Sequence, residues 1–240
     1  MKKVTSAALL AIQLSWKVVL LHFALTLGVQ TFFVWWELMP GGVPLQVTFG
    51  FENLLRSAVQ SAGQHWMGLL VAFLAATAWV KKNKTVYTMN RLGLSELTVT
   101  LIFGLVFTGY FLLYWAFQIA VAYGFFVWYS RFALVSSNTF MLACWRSEWL
   151  HTLLPLGEWW GYLRNLIICI SYGFTAAFTA HRGRRGKVSL IWVVPPALCI
   201  FLLSGEIAQV AMDIVLMVLL ALFTLWYFFK LKGGREDEDL

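Results

Sequence analysis

Residues 97–129, LTVTLIFGLVFTGYFLLYWAFQIAVAYGFFVWY, carry no charge and no proline, and how they fold decides how often the chain crosses a membrane. A crossing helix needs roughly 20 apolar residues, with about 17 to 25 being usual. As one helix this run would be about 50 Å long and would project beyond the hydrocarbon core. As a hairpin it would cross twice. Five other apolar runs are plain, at about 18–36, 66–80, 165–180, 189–203 and 208–229, so the count is six with a single helix and seven with a hairpin.

Basic residues choose between the two, because Lys and Arg accumulate in short cytoplasmic loops. With one helix at 97–129, Lys2, Lys3 and Lys17, then Lys81, Lys82, Lys84 and Arg91, then Arg182, Arg184, Arg185 and Lys187, and finally Lys230, Lys232 and Arg235 all fall on one side. The other side keeps Arg56, Arg131, Arg146 and Arg164, balanced by Glu37, Glu52, Glu148, Glu158 and Glu206. A hairpin would send the cluster around Arg184 outside. The expected fold is therefore an all-α, polytopic transmembrane bundle of about six spans, with N and C termini cytoplasmic. Trp35, Trp36, Trp66, Trp128, Trp159 and Trp160 at predicted outer ends, and Trp79 and Trp226 at inner ones, suit rings that prefer the headgroup level.

Composition agrees. Of 240 residues, 60% are apolar, 17% aromatic and only 12% charged, whereas soluble domains run near half apolar and a quarter charged. The net charge of +7 follows from topology and from attraction to anionic headgroups; nothing points to nucleic acid. The start Met1-Lys2-Lys3 reads as an uncleaved anchor, since Lys17 interrupts the apolar run and a span-length segment follows. Residues 4–16, mixing Leu9, Leu10, Ile12 and Trp16 with Thr5, Ser6, Gln13 and Ser15, suit a helix in the interface plane. No loop is long enough for a soluble domain, so residues 1–240 form a single membrane domain. Cys144, Cys169 and Cys199 make no disulfide framework.

Catalysis has little to work with. The histidines His22, His65, His151 and His181 are scattered, and no hydrolase, zincin or nucleotide-binding motif occurs. Glu148 and His151 would share a helix face, but two ligands are too few for a zinc site, and residues 138–154 read better as an amphipathic helix on the outer leaflet. Inside the spans, His22 and Asp213 stand out, because an ionisable group in hydrocarbon costs about 2.5 to 3.5 kcal/mol on insertion scales. Each either snorkels or pairs as a structural group, or marks a substrate or proton path; the first reading makes each dispensable for assembly. Pro195 and Pro196 are expected to break the fifth span in mid-membrane, which requires packing inside a bundle.

The loop KKNKTVYTMNRLGLSEL at 81–97 spells out a short helix. Thr85 is an acceptable N-cap, Gly93 a left-handed C-terminal stop, and Ser95 the cap of the next helix with Glu96 in its first turn. Met89, Leu92 and Leu94 would form an apolar edge, with Tyr87 and Arg91 available for specific contacts. A plain solvated connector is the competing reading.

On these features the chain resembles the permease subunits of bacterial ATP-binding-cassette exporters of the type 2 class. The resemblance rests on the span plan, on Thr88-Met89-Asn90-Arg91-Leu92-Gly93-Leu94-Ser95-Glu96, and on the outer stretch Trp145-Arg146-Ser147-Glu148-Trp149-Leu150-His151-Thr152-Leu153-Leu154-Pro155-Leu156. It implies that the loop helix couples to a separate cytoplasmic ATPase subunit through Thr85, Tyr87, Met89, Arg91, Leu92, Leu94 and Glu96. It also implies a bacterial cell membrane location and a dimer with itself or a paralogous permease, surrounded by membrane lipids. ATP and Mg would belong to the partner, and this chain would be no enzyme and hold no cofactor. The long third span departs from the family pattern, and residues 205–207 leave no room for its re-entrant outer hairpin.

Two classes of function follow. The first is a permease moving an amphipathic cargo, a peptide or a lipid-like compound, driven by ATP hydrolysis in trans, since the chain lacks GxxxxGK[ST]. The second is a non-transporting membrane scaffold or sensor subunit whose basic loops bind anionic lipid or a regulatory partner. A secondary transporter would need more intramembrane charge than His22 and Asp213 supply.

Overall fold

The structure, a computed structural model, describes residues 2–38, 51, 67–77, 87, 91, 93–131, 139–187, 189–203 and 209–232, and among them there is no strand. The helices are α1 (Lys2–Leu38), α2 (Met67–Thr77), α3 (Glu96–Tyr129), α4 (Thr139–Arg146), α5 (Glu148–Leu153), α6 (Trp159–Arg184), α7 (Val194–Leu203) and α8 (Gln209–Lys232). Four of them, α1, α3, α6 and α8, are long and apolar enough to cross a membrane, and α2 and Ile191–Leu202 are shorter apolar helices.

The deciding stretch is one helix. Ser95 opens α3 with extended backbone and accepts a hydrogen bond from Thr98 N, Glu96 sits in the first turn, and Gly93 at φ +57° occupies the left-handed region just before it. With neither charge nor proline downstream, nothing stops the helix until Tyr129.

Residues 4–16 and 18–36 lie on a single unbroken helix, α1, rather than on an interfacial helix followed by a span. No Gly or Pro separates them, and Lys17 stays exposed with its ammonium over the Trp16 ring, so a cation in the middle of the sequence imposes no break. The polarity of α1 is inverted relative to a soluble helix. Its buried stripe is Ala7, Ala11, Ser15, Val19, His22, Thr26, Gln30 and Val34, while Leu20, Leu21, Leu25, Phe32 and Trp36 are exposed. Small and polar side chains toward protein, with large apolar ones outward, is the arrangement that lipid solvation favours.

Side-chain pairs fix the relative directions. Ser15 meets Tyr110 and Gln30 meets Gln118, so α1 and α3 run parallel. Glu96 meets His181 and Phe111 meets Tyr172, so α6 is antiparallel to α3. Arg164 meets Asp213 and Phe178 stacks on Tyr227, so α8 runs parallel to α6. The starts of α1 and α3 and the ends of α6 and α8 therefore share one end of the bundle, with Lys3, Arg184, Arg185 and Lys230 on it.

The tightest packing is between α3 and α6. A Cβ on Gly173 would fall 2.8 Å from Thr108 Cα, and one on Gly104 would run into the Phe174 ring, so these glycines let the two helices approach. Buried Phe103, Phe107, Phe111, Tyr114, Cys169, Tyr172 and Ala176 form the centre of the apolar core with residues of α1, α2, α7 and α8. A second cluster, with Phe51, Phe125, Trp149 and Leu150, covers the opposite end.

Two expectations are corrected. Pro195 and Pro196 do not break a span in its middle. They lie in the first turn of α7, after a 3-10 turn at Ile191–Val193, where their missing N–H groups have no helical partner to lose. Both are buried, and Gly68 of α2 leaves room for Pro196, since a Cβ there would stand 2.9 Å from it. Residues 139–153 are two short helices rather than one amphipathic helix. Ser147 between them is extended and its hydroxyl accepts from Leu150 N, and the resulting bend buries Trp149 while Leu142 and Trp145 stay exposed.

Candidate functional site: buried polar clusters along the bundle

Among the described residues, three buried polar clusters interrupt the apolar interior. At the end opposite Lys3, Arg164 Nη1 donates to both carboxylate oxygens of Asp213, at 2.9 and 3.0 Å. The side chains are 7% and 10% exposed. Arg164 Nη2 and Asn165 Nδ2 both donate to the Thr152 carbonyl, at 3.3 and 2.7 Å, and Arg164 Nε donates to Asn165 Oδ1 at 3.3 Å. The cluster thus ties the C-terminal turn of α5, the start of α6 and the start of α8. Charge neutrality and this many bonds make the pair tolerable in a low dielectric.

The second group is a seam between α1 and α3. Spaced along one face of α1, Ser15, His22, Thr26 and Gln30 are fully buried. Ser15 donates to the Ala11 carbonyl and meets the Tyr110 hydroxyl at 3.2 Å, and Thr26 donates to the His22 carbonyl at 2.9 Å. The His22 ring packs against Phe73 and Tyr114, at centroid distances of 5.8 and 5.3 Å. Farther along, Gln30 Nε2 donates to Gln118 Oε1 at 2.8 Å, which leaves Gln30 Oε1 and Gln118 Nε2 buried without a hydrogen-bond partner among the described residues.

The third group closes the basic end. Glu96 Oε2 lies 2.9 Å from Arg185 Nη2 and 3.2 Å from His181 Nδ1. His181, Arg182 and Arg184 are buried in the last turn of α6, and the Arg184 guanidinium stands over the Phe103 ring at 5.2 Å.

The residues expected to couple to a partner divide among these surroundings. Thr85, Met89 and Leu92 lie outside the described residues. Tyr87 and Arg91 are helical and exposed, with the Arg91 guanidinium 5.8 Å from the Tyr87 ring centroid. Leu94 packs against the apolar core and Glu96 is engaged by α6, so both serve the bundle itself. Of the two intramembrane candidates, Asp213 is held by Arg164 and His22 is enclosed in the seam. His151 Nε2 faces Glu158 Oε2 at 3.6 Å, and no group of three metal-binding side chains occurs among the described residues.

Sequence reasoning counted Arg164 as an outer-loop charge. The signal that finds it is its position at the head of an apolar run, with Asp213 as the sole carboxylate in another. Opposite charges at matching depth in two spans pair. Gln30 and Gln118, amides inside otherwise apolar runs, carried the same kind of signal.

No known protein family, curated protein or solved structure matches the chain.

Proposed function

We propose that the protein is a six-span membrane subunit of an ATP-driven transporter, with both termini cytoplasmic, and that it couples through the turn before α3 to a separate ATPase. The observation that carries this reading is the exposed pair Tyr87 and Arg91, stacked on each other at the basic end of the bundle, beside a helix start whose other polar residue, Glu96, is already bound to α6. A guanidinium presented by an aromatic ring on a short helical turn is suited to a carboxylate or a carbonyl of another protein. The basic end then faces the cytoplasm by the charge rule, and α2 and α7 count as spans beside the four long helices. Aromatic and apolar interior surfaces fit an amphipathic cargo, a peptide or a lipid-like compound. The cell membrane of a bacterium and a dimeric assembly follow from the resemblance to type 2 exporters.

The test is purification of the tagged full chain from its native membrane in mild detergent, scoring copurified proteins for a P-loop ATPase and the preparation for ATP hydrolysis. An ATPase that copurifies with wild type and is lost with Arg91→Glu, while the chain stays inserted, supports the proposal. A stable complex with no ATPase in it turns the reading to the scaffold or sensor subunit.

A further inference from the structure

Arg184 is a buried cation with one terminal nitrogen left without an acceptor among the described residues. It is 6% exposed, and its Nη1 has no hydrogen-bond partner among the described residues. Its Nη2 stands 3.5 Å from His181 Nδ1. Glu96 Oε2 lies 3.2 Å from the same nitrogen, so Arg184 and Glu96 compete for it. Beyond these, the Arg184 guanidinium stands over the Phe103 ring face.

Charge leads to the same point. Arg184 and Arg185 come together with His181 near one carboxylate, whose Oε2 already faces His181 and Arg185. A buried guanidinium without a counter-charge is costly, and removal of a partner from such a pair leaves a penalty of several kcal/mol. The start of α3 adds the partial positive charge of its free N–H groups beside Glu96. Two guanidinium groups and a helix N-terminus beside one carboxylate make a setting for a tetrahedral oxyanion, whose several oxygens can meet both forks at once.

We propose that the start of α3 and the end of α6 form a binding site for a phosphate group, with Arg184 as its central ligand, Arg185 at its rim, and Glu96 as the internal anion that competes with it. The chemistry is that of a phosphate mono- or diester, met either as the headgroup of an anionic lipid or as free phosphate. The lipid source rests on the reading of this end as a membrane surface, and independently of any ATPase partner.

The experiment uses the full chain in neutral detergent, with thermal unfolding followed as dioleoylphosphatidylglycerol, dioleoylphosphatidylcholine or inorganic phosphate is titrated. Stabilisation by phosphatidylglycerol but not by the other two assigns the site to a lipid headgroup, and stabilisation by inorganic phosphate assigns it to the free anion. Both support a phosphate site. Arg184→Gln should weaken the apparent affinity about tenfold or more, the worth of a charged hydrogen bond. Arg184→Lys, which keeps the charge without the fork, should fall between. Glu96→Gln, which removes the competitor and leaves a folded helix cap at Ser95, should tighten binding several-fold. No stabilisation by either phosphate probe, or Glu96→Gln and Arg184→Gln that both bind as wild type does, overturns the proposal. A failed phosphate titration with an ATPase still copurifying would refute the site alone, whereas loss of the ATPase with phosphate binding intact would refute only the coupling.

Discussion

Arg164 and Asp213, 49 positions apart in the chain, meet through two hydrogen bonds and hold the starts of α6 and α8 together. The pair lies nearly sealed from solvent, so each charge depends on the other. Substituting either alone, Arg164→Ala or Asp213→Ala, should cost about 3 to 5 kcal/mol of unfolding free energy, because the survivor is left unpaired. The double variant Arg164→Met with Asp213→Leu should lose clearly less than either single one. Denaturant titration of the four proteins in detergent measures this, and additive losses would show that the pair carries no coupling. Pairing is the structural alternative expected of Asp213 from the sequence, and a loss of this size would make the residue needed for assembly rather than dispensable.

A weaker effect is expected at the amide pair. Gln30 and Gln118 make one bond between α1 and α3 and leave one acceptor and one donor buried without partners. Interhelical polar bonds in membrane proteins average about 0.6 kcal/mol, and the unfilled groups offset part of that. Gln30→Leu alone should therefore destabilise by about 1 kcal/mol, since it strands the Gln118 amide as well. The double Leu variant should return close to wild type in the same assay. A double variant worse than both singles would mean that the pair has a function beyond holding the helices.

Legibility followed the range of the interactions that decide each feature. The single helix at 97–129 was readable because its cause is local: no charge, no proline, and Ser95 with Glu96 at its head. The continuity of α1 was not, because Lys17 marks a boundary only where a cation cannot reach past the apolar surface, and here it lies exposed on the helix flank. Pro195 and Pro196 were misread for want of one fact, the residue at which α7 begins. Arg164 was misplaced because its partner is set by the register of α6 against α8, which no local pattern encodes. At the basic end the charges were legible as a topological signal, but the burial of Arg184 against Phe103 comes from the close approach of α3 and α6 that Gly104 and Gly173 permit.

Orientation is open to direct labelling, and the native thiols will not interfere. Cys144, Cys169 and Cys199 are all buried, and burial pushes the Cys144 thiol, on the short helix α4, up to about 11. A thiol raised above its ordinary value is almost wholly protonated at neutral pH, and only the thiolate reacts. Single cysteines at the exposed positions Trp159 and Tyr87 should then report opposite sides. Trp159→Cys is expected to react with an impermeant maleimide on intact cells, and Tyr87→Cys only after permeabilisation. Reaction of Tyr87→Cys from outside would invert the proposed topology.

The last prediction concerns the turn before α3, and it follows from how its residues are divided. Leu94 is packed into the bundle, so changing it should disturb folding as well as any partner. Tyr87 and Arg91 are exposed and touch each other, so changing them should spare insertion. A cation stacked on an exposed ring gains only about 0.5 to 1 kcal/mol within the chain, but an Arg fork on a partner carboxylate is lost almost entirely when the charge is reversed. Arg91→Glu should therefore release or uncouple an ATPase while unfolding temperature stays within error of wild type. Arg91→Lys should do so less, since it keeps the charge and loses only the planar geometry. Leu92→Asp, on the apolar edge read from the sequence, should match Arg91→Glu, because burying that side chain would be worth about 1.5 to 3 kcal/mol at best. If both leave copurified ATPase and its stimulated hydrolysis unchanged, the turn is a solvated connector and the scaffold reading stands in place of the transporter.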